Sequence, residues 1–189
     1  MTQAGNKIIN ALLFQGVWFT TVLGAAYGVL WPSLFLLIGY CAWQSLPSVR
    51  MPGDLRLVAV ALILGLVFDG SMDRFGLLQY AEPSVSTLLP PLWILQMWVG
   101  FALTLNHSLA WLLRNGWVAV VAGAIAGPLA YLSAERLGAV TWSGDIAWVA
   151  AILAVGWGAS TWLLWVLSVR WREQGLGAMS KPSPAGEYQ

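Results

Sequence analysis

Charged side chains are spread so thinly along the chain that they act as punctuation between long apolar runs. Between Lys7 and Arg50 stand 42 residues without a charge. As one helix they would extend ~63 Å, about twice a ~30 Å hydrocarbon core, so they form a hairpin of two helices. Trp31-Pro32 is the break, since proline suits a helix start and tryptophan a membrane interface. The pattern predicts helices over 8–28 and 32–46. Pro47 and Pro52 end the second, and Arg50, Asp54 and Arg56 make a wet loop. Further apolar runs predict helices over 57–78, 92–113, 117–137 and 146–169. A turn-rich stretch runs from Gln79 to Pro91, and Arg114-Asn115-Gly116 makes a tight turn. Residues 1–172 thus read as a single all-α domain, a polytopic membrane protein built as a bundle of six transmembrane helices. Residues 173–189, rich in Gly, Ser and Pro, read as a disordered cytoplasmic tail.

Composition narrows the solvent. Of 189 residues 59% are hydrophobic and 9% charged, too few charges to cover a soluble domain of this size. A disordered chain and a coiled coil are excluded for the same reason. The net charge of +1, with no basic patch, excludes nucleic acid as a main partner. The bilayer is the partner that remains. A single cysteine, Cys41, rules out an internal disulfide and a cysteine-based metal cluster, and it reads as a small packing residue.

Six crossings put both termini on one side. That side receives Lys7, Arg50, Arg56, Arg114, Arg170, Arg172 and Lys181, and the other only Arg74 and Arg136. The asymmetry predicts cytoplasmic termini. Gly24 and Ala26 offer a cleavage spacing, but the lone Lys7 and the interruptions at Gln15 and Trp18 argue against a signal peptide. Most of the 13 tryptophans fall near predicted helix ends, while Trp18, Trp98, Trp157 and Trp162 fall at mid-depth. Those four read as packing or lipid contact, or as the lining of a cavity for a flat or polyene-like ligand.

A short repeat stands out. Asp73-Arg74-Phe75-Gly76 precedes Glu135-Arg136-Leu137-Gly138, with Gly65 matching Gly127 and Tyr80 matching Trp142. It suggests that helices 3–4 and 5–6 are hairpins related in parallel rather than by inversion. A competing explanation is that acid–base pairs followed by glycine are good helix ends.

Ionisable groups inside a membrane carry a functional hypothesis by default. One group is Asp69 and Asp73, four apart on one helix face, able to share a proton or bind a divalent metal, or else to pair with Arg74 and Arg136 in an outer rim. The other is Asn106-His107-Ser108, with Gln15 and Ser160-Thr161 at matching depth. On a regular helix Asn106 and Ser108 face about 200° apart, so the three cannot line one cavity. Interhelical hydrogen bonding explains them as well as proton transfer at His107 does. A lone histidine makes haem or zinc ligation improbable, and no metal or other cofactor is expected. Gly123-x-x-x-Gly127-Pro128 permits close helix approach and a kink at Pro128, with Tyr131 one turn on.

Asn10-x-x-x-Phe14-Gln15-x-x-Trp18-Phe19, the Asp69 segment, Thr104-Leu105-Asn106-His107-Ser108-Leu109 and Gly127-Pro128-Leu129-Ala130-Tyr131 followed by Arg136-Leu137-Gly138 resemble a family of small proteobacterial inner-membrane proteins. That family is catalogued as a domain of unknown function, and the likeness spans about 7–170. Its genes often neighbour fatty-acyl- or lipid-modifying enzymes and flavin oxidoreductases. The resemblance therefore implies a loose link to envelope lipid metabolism or oxidative stress, and no assigned reaction. It singles out Gln15, Asp69, Asn106, His107, Ser108 and Tyr131, with Asp73 less securely part of the pattern. Three function classes stay open. The first is a non-catalytic protein that binds a lipid or hydrophobic small molecule, or scaffolds lipid-modifying enzymes. The second is a membrane-embedded enzyme using Asp69 and His107, and the third a small transporter.

Overall fold

The computed structural model of the protein describes residues 2–82, 89–111 and 115–179. Its elements are α1 (Gln3–Tyr27), α2 (Trp31–Gln44), α3 (Asp54–Arg74), β1 (Leu78–Tyr80), α4 (Leu92–Ala102), α5 (Gly116–Arg136), β2 (Val140–Trp142) and α6 (Ile146–Met179). Among the described residues, four of the six helices, α1, α3, α5 and α6, are long and apolar enough to cross a membrane. With 14 and 11 residues, α2 and α4 are too short to span a ~30 Å core as regular helices.

Helix ends follow local chemistry. Thr2 caps α1 through its hydroxyl, and Gly28 closes it in the left-handed conformation at φ 70°. Pro32 opens α2, and the Asn115 side chain caps α5. The largest departure from expectation is α4, which stops at Ala102 instead of running to 113. Turns with three-residue hydrogen bonds follow, such as Thr104 N to Phe101 O and His107 N to Thr104 O. At the other end of the chain α6 continues to Met179, past residue 173 where a disordered tail was expected. Arg170 and Arg172 end its apolar part without ending the helix, and Trp171 packs on Gly53 under the Arg56 guanidinium. The tail from 180, the middle of the turn-rich stretch (83–88) and Arg114 lie outside the described residues.

The repeat is carried by whole elements. α3 and α5 start and end at positions 62 apart, and so do β1 and β2. Buried residues coincide in register: Leu57 with Ala119, Ala61 with Gly123, Gly65 with Gly127, Asp69 with Tyr131, and Met72 with Ala134. Both helices close on a glycine at positive φ, Gly76 at 64° and Gly138 at 85°. The two strands then pair antiparallel, with Gln79 opposite its own equivalent Thr141. That register maps one strand onto the other by a local two-fold axis. The ribbon marks one end of the bundle, and α4 runs from near that end through its core.

Candidate functional site

Three arrangements collect the polar and aromatic side chains. At the ribbon end Asp69 is fully buried on α3. It accepts from Trp98 Nε1 at 2.6 Å, from the Tyr80 hydroxyl at 3.0 Å, and from the Tyr131 hydroxyl. Burial, reinforced by the neighbouring Asp69, pushes the Tyr80 hydroxyl well above its ordinary pKa, which keeps it a donor. Trp98 is fixed twice, by that hydrogen bond and by seating its ring on Gly65. Trp157 seats on Gly127, the repeat equivalent of Gly65, and stacks on Trp98 with centroids 4.6 Å apart and planes 7° apart. The glycines of Gly123-x-x-x-Gly127 thus receive Thr161 and Trp157 of α6, and α5 stays helical through Pro128.

The opposite end holds a buried polar network around the unwound continuation of α4. Asp54 sits in the first turn of α3, where a helix N-terminus favours an acid. His107 Nε2 lies 2.9 Å from its Oδ2, Asn106 Nδ2 donates to its Oδ1 at 2.8 Å, and Met51 N donates at 2.9 Å. Asn10 on α1 satisfies the broken helix from the other side. Its Nδ2 donates to Leu103 O, Tyr40 Oη and Gln44 Oε1, and its Oδ1 accepts from both N and Oγ of Ser108. Irregular backbone at membrane depth survives only where such partners exist.

Between α1, α4, α5 and α6 lies a crevice of about 520 Å³. Gln15 and Phe19 of α1 and Ala126, Leu129 and Ser133 of α5 are its exposed lips, so it opens between α1 and α5. From Ala119 to Ala134 it follows α5 for ~22 Å. The repeat explains why it exists. α3 presents Val60, Leu64 and Phe68 to the core, with Phe68 seated on Gly156 of α6. At the equivalent positions 62 residues on, α5 carries Ala122, Ala126 and Ala130, and all three line the crevice. One copy fills its groove and the other leaves it open.

A family model described as "Protein of unknown function (DUF2878)" matches residues 7–163, most of the chain. The chain belongs to the DUF2878 family. No curated protein and no solved structure matches it.

In this DUF2878 protein the residues singled out by sequence separate into those three places. Asp69 and Tyr131 meet, and Tyr131 also reaches the crevice. Asp73 is half-buried one turn further along α3, and it is not among the three donors that hold Asp69. No group of three or more His, Cys, Asp and Glu able to hold a metal occurs among the described residues. Asn106, His107 and Ser108 all belong to one network, which corrects the expectation drawn from regular helix geometry. Beyond Ala102 the backbone is no longer an α-helix, so Asn106 and His107 both turn to Asp54. Gln15, expected beside His107, is exposed at the crevice lip. Asp54, expected in a wet loop, is 6% exposed because α2, α3 and the turns after α4 close over it. Sequence reasoning passed over Tyr40 and Gln44, and named Asn10, Asp54 and Tyr80 only as parts of a motif, a loop and a repeat. Asn10 and Gln44 were visible as uncharged polar residues inside apolar runs, while Asp54 looked like one more flanking charge.

Proposed function

We propose that this DUF2878 chain is an integral inner-membrane protein that binds the apolar body of a lipid in the crevice between α1 and α5, without transforming it. One observation carries the reading: an apolar space of about 520 Å³ opens sideways between two helices long and apolar enough to cross a membrane, within the ~300–1,000 Å³ usual for small-molecule sites. The solvent at such a mouth is lipid. Open space between helices forfeits the contacts that hold a membrane bundle together, so an empty crevice would cost stability that an occupant restores. The alanines at 122, 126 and 130 support a built site, since larger residues stand at the equivalent places in α3.

In the same reading α2 and α4, lengthened by the turns that follow them, complete six crossings with both termini cytoplasmic. Seven of the nine basic residues then fall on the cytoplasmic side. A lipid presented there or within the leaflet would suit partner enzymes that modify lipids. The test is lipid extraction and mass spectrometry on purified protein, comparing wild type with Ala122→Val/Ala126→Leu/Ala130→Phe. Wild type should retain one lipid species near one per chain, and the variant should lose it while remaining folded. Identical lipid content in both would overturn the reading.

A further inference from the structure

We infer that the lipid accommodated by the crevice is a planar, conjugated polyene. This rests on the reading of the crevice as a lipid site and adds the chemical class. The first ground is what can drive selection inside a bilayer. Lipid tails are as apolar as the crevice walls, so burial alone favours no ligand over any other tail. Selection must come from shape and from ring contacts.

The walls supply both. Aromatic residues reach the crevice from all four helices, among them Phe14 and Trp18 of α1, Trp98 and Phe101 of α4, Tyr131 of α5 and Trp157 of α6. From Ala119 to Ala130 the α5 wall is nearly bare, presenting Ala119, Ala122, Ala126 and Ala130, with Gly123 and Gly127 covered by Thr161 and Trp157, Leu129 at the lip, and Tyr131 and Ser133 beyond. Bare helix on one side and rings on the others make a slot. The rings are also held before any ligand arrives. Trp98 is locked by Asp69 and Gly65, Trp157 by Gly127 and by stacking on Trp98 at 7°. Phe101 meets Trp157 edge to face at 77°. A flexible saturated chain has no use for a rigid ring wall, whereas a conjugated chain meets it with π faces and loses little freedom on binding.

The hydroxyl groups along the slot are already engaged within the protein. Thr161 Oγ1 is hydrogen-bonded to Ala119 O, Ser133 Oγ to Leu129 O, and Tyr131 to Asp69. Gln15 stands at the lip, outside the ring-lined part. What the slot reads is chiefly the apolar body; Trp93 Nε1 and Trp157 Nε1, buried on its wall without hydrogen-bond partners, are the donors that a carbonyl-bearing ring such as a quinone head would have to reach.

The experiment uses the full chain in nanodiscs of a saturated phosphatidylcholine. The probes are a conjugated tetraene fatty acid, its saturated counterpart of equal length, and a short-chain prenylated benzoquinone. Quenching of tryptophan fluorescence reads binding of the tetraene, and displacement reads the other two. The tetraene should quench saturably and bind about tenfold tighter than the saturated chain. Ala122→Val/Ala126→Leu/Ala130→Phe should abolish saturable quenching with its circular dichroism unchanged. Should that variant misfold, Ala126→Leu alone should weaken binding several-fold. Equal competition by the saturated chain, or tighter binding of the quinone, would overturn the polyene class and leave the lipid site standing. No saturable binding of any probe would overturn both.

Discussion

Asp69 on α3 accepts a hydrogen bond from Tyr131 on α5, and the two residues hold the same position in two copies of one helix–strand unit, 62 residues apart. Equivalent positions touch only near the axis that relates them, so this contact marks the axis between the two helix–strand units. One copy supplies the acceptor there and the other the donor, which a symmetric pair of carboxylates or of phenols would do less well. Tyr131→Phe removes one of the three donors to Asp69 and keeps the ring, so it should cost about 1 kcal/mol. Asp69→Ala leaves Tyr80, Trp98 and Tyr131 as buried donors without their acceptor and should cost several times more. Reversible unfolding in mixed detergent micelles measures both. Equal losses would mean that a single hydrogen bond carries the cluster.

Gly65 and Gly127 give the axis its second test. A Cβ at Gly65 would enter the Trp98 indole, and one at Gly127 the Trp157 indole. Either alanine should separate the stacked rings, at a cost of about 1–3 kcal/mol from overpacking. Gly39 on α2 is the control, since nothing lies within 4 Å of its added Cβ. Gly39→Ala should leave stability unchanged or raise it by about 0.5–1 kcal/mol. Near-ultraviolet circular dichroism should change for the first two variants and stay fixed for the third.

The number of helices was legible because charge and proline bound each apolar run, and the repeat because Asp73-Arg74 and Glu135-Arg136 sit before paired glycines. The break in α4 was not. Leu103-Thr104-Leu105-Asn106-His107-Ser108 contains no glycine or proline, and the turn is held by Asn10 and Gln44, which lie 93 and 59 residues from the Leu103 carbonyl they satisfy. Asp54 was misplaced for the same reason, since its partners Asn106 and His107 reach it only once that helix unwinds. The crevice needed the repeat and the packing together: Ala122, Ala126 and Ala130 look like ordinary helix formers until Val60, Leu64 and Phe68 are set beside them.

Asn10 is then the residue on which the unwound segment depends. Asn10→Ala would strip the Leu103 carbonyl, the Tyr40 and Gln44 side chains and Ser108 of one shared partner. Leaving buried polar groups unmatched costs about 1–3 kcal/mol each, partly recovered by relaxation. Gln15→Ala, one and a half turns along the same helix, should change stability by less than about 0.5 kcal/mol, as exposed positions do. Thermal melting of the two variants in one detergent compares them directly, and a larger loss for Gln15→Ala would remove Asn10 from this role.

Double-mutant cycles around His107 separate the two polar ends of the molecule. His107 and Asp54 are in contact at 2.9 Å with side chains 7% exposed, so each sits where removal of the other leaves an unmatched group. Asp54→Asn and His107→Gln should therefore couple by about 0.5–3 kcal/mol. Asp69→Asn and His107→Gln share no hydrogen-bond partner, since Asp69 is held by Tyr80, Trp98 and Tyr131, and should add within about 0.5 kcal/mol. The sequence places Gln15 at the depth of His107, which alone would suggest that the two couple. With Gln15 at the crevice lip, Gln15→Leu and His107→Gln should also add, and Asp54 takes the coupled place. Unfolding free energies of the eight proteins in these three cycles, with the wild type and His107→Gln as the corners they share, decide the matter. Strong coupling between Asp69 and His107 with none between Asp54 and His107 would require a different packing of α3 against the turns after α4.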